Sequence, residues 1–225
     1  MDAGSSRQRP LFSKKNGSEL VEFLSEGSRQ RFGARKYGQR YLEVLSAAAR
    51  VFAKRGYQSA TTKHIADEIG LQQGSLYYYI KSKESALEQI CDVAIDGYVS
   101  FSNRVRRAKR PASEKLRTIV ALHLSTLDER PSFFKVFQEN RNDLGDKARH
   151  RIGRQIRVYE RHIEAIFRQG IRDGEFRSDV DPLHATLTLL AACNAVSVWW
   201  KVRSSAPIPN IAAHISDILL RGVST

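Results

Sequence analysis

Residues 72–78 read QQGSLYY, a run in which most side chains form hydrogen bonds and none carries a charge. Such groups suit the edges of base pairs. A glutamine amide, as at Gln72 or Gln73, pairs in two places with adenine, and the Ser75 hydroxyl can serve either partner of a base pair. The hydroxyls of Tyr77 and Tyr78 suit phosphate oxygens, and Gly74 lets the backbone approach closely. Lys63, Lys81 and Lys83 flank the run as candidate phosphate contacts. Three consecutive tyrosines cannot all face one core, so Tyr79 is expected to turn inward and the other two outward.

These groups need two short helices to position them. Counted from Thr62, apolar residues fall at Ile65, Ile69, Leu71 and Leu76. Helices crossing at ~90–120° through a tight turn leave little room where they touch, which explains Ala66. The turn itself needs a residue tolerant of positive φ, which explains Gly70. The spacing predicts helices over 62–69 and 73–80, giving a helix-turn-helix at 61–80. It would rest on an earlier helix over 36–55, whose Leu42, Leu45, Ala49 and Phe52 share a face and which Gly56 ends.

The remaining chain also reads as helix after helix, over 83–108, 113–129, 131–144, 146–172, 182–203 and 209–221. Ser82 serves as an N-cap, Pro131 as a first-turn proline, Gly174 as a C-terminal stop, and Asp181-Pro182 as cap and first residue. Nine helices make an all-α protein. Three stretches are expected: a basic flexible arm at 1–34, a DNA-binding domain at 35–82, and a larger helical domain at 83–225.

Composition narrows the partners. The net charge is +13, from 37 Lys+Arg against 24 Asp+Glu, which favours an anionic partner such as nucleic acid or an acidic membrane. Residues 182–200 carry no charge, but His184, Thr186, Thr188, Asn194 and Ser197 interrupt them, so a helix buried at a protein interface is expected rather than a membrane span. Cys91 and Cys193 form neither a ligand cluster nor a disulfide framework, and the first residues lack the apolar core of a signal peptide. A cytoplasmic protein is expected. No HExxH, GxSxG or P-loop pattern occurs and the six histidines are dispersed, so no catalytic site, metal or cofactor is expected.

The run T-x-x-x-I-A-x-x-x-G-L-x-x-G-S-L-Y-Y-Y-I-x-S-K-E-x-A-L, from Thr61 to Leu87, resembles the TetR/AcrR family of bacterial transcriptional regulators, as does AARVFAKRGY at Ala48–Tyr57. That resemblance implies a repressor that binds a near-palindromic double-stranded operator as a homodimer and leaves it when a small hydrophobic effector binds. It would place Gln72, Gln73, Ser75, Tyr77 and Tyr78 on DNA, with Thr62 capping the second helix near a phosphate and Lys83 on another phosphate. Two residues depart from the family pattern: Gln72 stands where a small Ser or Thr is usual, and Ile80 where Phe is usual. The first alters the possible base contacts, and the second is a conservative core change.

Residues 182–200 and 211–222 resemble the last two helices of that family, which pack as a four-helix bundle across the dimer axis. Tyr98, Phe101, Phe133, Phe137, Asn194, Trp199 and Trp200 are candidates for lining an effector cavity, or else ordinary core. A buried Asn194 amide must find a partner, either a ligand or its mate across the interface. The C-terminal half is also similar to the branch responding to acyl-CoA thioesters. On that resemblance Arg141, Arg149, Arg151 and Arg154 would serve CoA phosphates; the other reading is a solvated basic face. A ligand-independent DNA-organising protein, its basic arm tracking phosphates, is the competing function.

Overall fold

A computed structural model describes residues 36–200 and 202–225, so the expectation of a flexible arm at 1–34 lies outside the described residues. Nine α-helices follow one another there: α1 (Lys36–Arg55), α2 (Thr62–Glu68), α3 (Gln73–Leu76), α4 (Lys83–Arg107), α5 (Ala112–Glu129), α6 (Pro131–Asn140), α7 (Asp146–Arg172), α8 (Pro182–Trp199) and α9 (Ile208–Val223). A single 3-10 turn, Arg141–Asp143, joins α6 to α7.

The expected punctuation acts where it falls. Gly56, Gly70 and Gly174 all have positive φ, and Ser82 and Asp181 cap α4 and α8 through their side chains. Three helices end earlier than periodicity suggested. The 131–144 segment gives way at Asn140 to the 3-10 turn. The 182–203 segment stops at Trp199, because Trp200 turns extended (ψ 144°) and its indole N–H donates to the Ala206 carbonyl at 3.1 Å.

The third shortened helix is the recognition helix itself. It is expected over 73–80, yet α3 closes at Leu76. Beyond it, Tyr78 N–H donates to Ser75 O and Tyr79 N–H to Leu76 O, an i to i−3 pattern that tightens the last turn. The tightening separates the tyrosines: Tyr79 packs against the core and Ile80 is fully buried, while Tyr77 and Tyr78 face out.

One core runs through the described residues, from Leu42 and Phe52 in α1 through Ile90 in α4 to Leu220 in α9. Helices α4 and α7 run side by side in the same direction: Arg151 meets Asp92 near their N-termini, and Ser102 meets His162 nearer their C-termini. The α7–α8 connection folds back so tightly that Phe176 lies where a side chain at Gly170 would be; a Cβ there would fall 2.2 Å from its ring. Helix α8 returns toward α6, placing Asn194 beside Gln138.

Candidate DNA-reading surface and effector cavity

Helix α2 is capped by Thr61, not by Thr62 as expected. The Thr61 hydroxyl accepts from His64 N–H, and His64 Nδ1 accepts from Thr61 N–H. The cap must sit one residue before the first helical position, and Thr61 has the extended backbone (φ −128°, ψ 160°) that the position requires. Thr62 is thereby left for another task. Its Oγ1 accepts from Gln73 Nε2 at 3.2 Å and lies 3.5 Å from the Tyr77 hydroxyl. A residue on α2 thus braces two side chains of the reading surface. Gln73 keeps a second amide hydrogen and its oxygen, the pair needed for adenine.

Gln72, Gln73, Gly74, Tyr77 and Tyr78 are all exposed, Tyr78 to 80%, with Ser75 half-buried beneath them and Lys63 exposed alongside. No side-chain hydrogen bond caps α3 at Gln72, in keeping with glutamine standing where a small capping residue is usual. Lys83, which the resemblance places on a phosphate, also has partners within the chain. Its ammonium donates to the Tyr57 and Gln58 carbonyls, both at 3.1 Å, and sits 4.6 Å from the centre of the Tyr57 ring. It therefore ties the start of α4 to the α1–α2 connection.

The expected cavity residues divide. Tyr98, Phe101, Phe133 and Phe137 are buried, with the Tyr98 ring against those of Phe101 and Phe137, and the void beside Tyr98 and Phe133 holds about 10 Å³. Trp199 and Trp200 are half-buried, and Trp200 lines an open groove of about 820 Å³ between α6 and α8, with Phe134, Lys135, Gln138 and Asn194. A separate cleft of about 270 Å³ opens between α8 and α9, over Leu116 and Phe167, at the end of the domain remote from α2 and α3.

Asn194 finds its partners inside its own chain. Its Oδ1 accepts from Gln138 Nε2 at 2.7 Å and from His123 Nε2 at 3.1 Å. This fixes the tautomer of His123, whose Nδ1 accepts from the Tyr159 hydroxyl at 3.0 Å. Thr126 donates its hydroxyl hydrogen to the His123 carbonyl, so Tyr98 donates to Thr126 Oγ1, at 2.8 Å. Side chains from α4, α5, α6, α7 and α8 thus converge on one buried network. His123 was not singled out from sequence. The available signal was its place on the apolar face of α5, in register with Leu116, Ile119, Val120 and Leu127.

Burial holds the His123 pKa down to about 4. A histidine whose folded pKa is depressed contributes its full stability above its unfolded value, ~6.5, and loses it as pH falls toward the folded one. Unfolding free energy is expected to drop by about 2 kcal/mol between pH 7 and pH 5. Urea titrations at the two pH values check this, and the increment should vanish in His123→Gln.

The arginines divide as well. Arg151 spends its guanidinium on Asp92, at 2.7 and 3.2 Å, and approaches Glu88, while Arg149 pairs with Asp146. Acidic neighbours on α4 and α7 thus pair with both, and both remain partly exposed. Arg141 stacks on the Phe137 ring at 5.7 Å, and Arg154 is exposed.

Known proteins match both halves of this arrangement. Residues 44–90 match the family described as bacterial regulatory proteins, tetR family, and residues 109–223 match the tetracyclin repressor-like C-terminal domain. The chain belongs to the TetR family. Among relatives of this TetR-family regulator is the transcriptional repressor KstR2 of Rhodococcus jostii, 26% identical over 198 residues, which span 84% of this chain and 93% of KstR2. Two solved structures share its fold. FadR from Bacillus subtilis in complex with stearoyl-CoA has a TM-score of 0.69 at 22% identity, covering 81% of this chain and 98% of FadR. AibR in complex with isovaleryl coenzyme A and operator DNA has a TM-score of 0.71 at 23% identity, covering 80% and 98%.

Proposed function

We propose that this TetR-family regulator is a cytoplasmic, non-enzymatic repressor that holds a near-palindromic operator as a homodimer and is released by an acyl-CoA thioester. Residues 35–82 read DNA in this account, residues 83–225 sense the effector and dimerise, and α4 belongs mechanically to both. The observation that carries the reading is the exposed Gln73–Tyr77 surface on a one-turn helix, braced by Thr62 on the helix that crosses it. Acyl-CoA is favoured as effector because FadR and AibR, which share the fold, are bound to acyl-CoAs.

The homodimer reading has its own physical support. Leu183, Leu187, Ala191, Ala195 and Val198 follow one another along one exposed face of α8, and Ile218 stands exposed on α9. Although α8 is long and apolar enough to cross a membrane, its polar residues and a face matched by that of α9 favour a second copy as cover. A two-fold dimer sets its recognition helices about one DNA turn apart, ~34–36 Å. An effector that moves α4 alters that spacing. Driving the balance from 1:99 to 99:1 requires ~5.5 kcal/mol of differential binding.

Selection from a randomised DNA pool with the purified protein tests the reading. The expected product is an inverted repeat whose half-sites lie about one turn apart. A pool that stays random while the protein coats every fragment would favour the DNA-organising alternative.

A further inference from the structure

The groove between α6 and α8 contains a residue with two possible partners. Lys135 lines this groove, yet its ammonium donates to the carbonyl of Ala53 at 2.9 Å. Ala53 lies in the last turn of α1, where carbonyls lack amide partners within the helix and the helix dipole attracts a cation. Lys135 therefore fastens α6, part of the sensing domain, to the helix on which α2 and α3 rest. Gln58 makes a second tie, to Asp143 of the 3-10 turn that follows α6.

The rest of the groove suits one class of ligand. Its floor carries the Gln138–Asn194 amide pair, its walls are Phe134, Val198 and Trp200, and its charged groups are the Lys135 ammonium and the Glu139 carboxylate. Phe134 also walls the small void that reaches Tyr98 and Thr126, so a rotation of this one ring would join groove and void. An amphiphile with an apolar tail, a carbonyl and an anionic head matches that sequence of surfaces. The outer apolar stripe of α8, from Leu183 to Val198, is left to the second copy, which would border the groove at Val198.

Building on the acyl-CoA reading, we infer that the effector enters through the α6–α8 groove and that its phosphates draw the Lys135 ammonium away from Ala53. The acyl chain packs along Phe134, Val198 and Trp200 in the groove and turns the Phe134 ring toward the small void beside Tyr98. Loss of the Lys135–Ala53 bond removes one polar tie from the packed contact of α6 with α1 and loosens the end of α1. The DNA-releasing signal is then a competition for one ammonium group.

Trp199 and Trp200 are the two tryptophans of the chain, so Trp199→Phe leaves Trp200 as a fluorescent reporter inside the groove. That protein is titrated with isovaleryl-, octanoyl- and palmitoyl-CoA, and with palmitate and free CoA, while hydrogen exchange is followed over residues 50–58. At least one acyl-CoA is expected to shift Trp200 emission and to speed exchange at the end of α1. Lys135→Met should weaken that acyl-CoA about tenfold and leave palmitate unaffected. Its exchange at 50–58 should be fast from the start and insensitive to ligand. Lys135→Arg, which keeps the charge, should restore both responses and controls for folding. Calorimetric binding with Trp200 unmoved and Lys135→Met unaffected would overturn the inference while leaving the acyl-CoA reading intact. Binding in the groove without faster exchange would overturn the latch. No binding of any acyl-CoA would sink both.

Discussion

Leu187→Glu is expected to leave the chain folded but unable to hold operator DNA. Leu187 is 45% exposed on the outer face of α8, so one chain alone tolerates a glutamate there. A homodimer does not. Two-fold symmetry would bring two carboxylates into the interface at once, each losing hydration without a partner. The monomer that remains has a single recognition helix and forfeits the effective concentration that couples two half-sites, a factor on the order of 10²–10⁴ in affinity. Sedimentation velocity reads the mass and fluorescence anisotropy the DNA affinity of the same preparation. A Leu187→Glu protein that still sediments as a dimer would move the interface away from α8.

Gln73→Ala carries the second large effect. A bidentate glutamine–adenine pair is worth about 1–3 kcal/mol, and a palindrome holds two of them, so the selected operator should bind between about 30-fold and about 2 × 10⁴-fold more weakly. The substitution also removes the amide that donates to Thr62 Oγ1, loosening the brace beside Tyr77. Selection repeated with the variant should return sites degenerate at one position per half-site. Tyr77→Phe, which removes a hydroxyl suited to phosphate, should instead weaken every sequence alike. Unchanged sequence preference in Gln73→Ala would place base reading elsewhere on α3.

The reading head was legible in the sequence because its constraints are local. Gly70 and Ala66 answer to a tight turn and a close crossing, and three tyrosines in a row force a division between inside and outside. What the sequence concealed depends on neighbours far along the chain. Thr62 reads as a cap until Thr61 is seen in the extended conformation that capping requires. Arg151 reads as a phosphate ligand or part of a solvated basic face, and its ion pair with Asp92, 59 residues away in sequence, appears only once α4 packs beside α7. Asn194 was expected to bind a ligand or its own mate, whereas the packing of α5 and α6 supplies His123 and Gln138. Lys135 gave no local signal at all, since its acceptor is a backbone carbonyl 82 positions earlier. The end of α3 was overestimated because periodicity registers a helical face and misses the change from α to 3-10 pairing.

The most direct test of the account is a footprint of the homodimer on its selected operator, repeated with isovaleryl-, octanoyl- and palmitoyl-CoA at constant salt. The account predicts two protected half-sites one turn apart, lost together as one of the acyl-CoAs saturates the protein. Protection that persists at saturation with every acyl-CoA would contradict it.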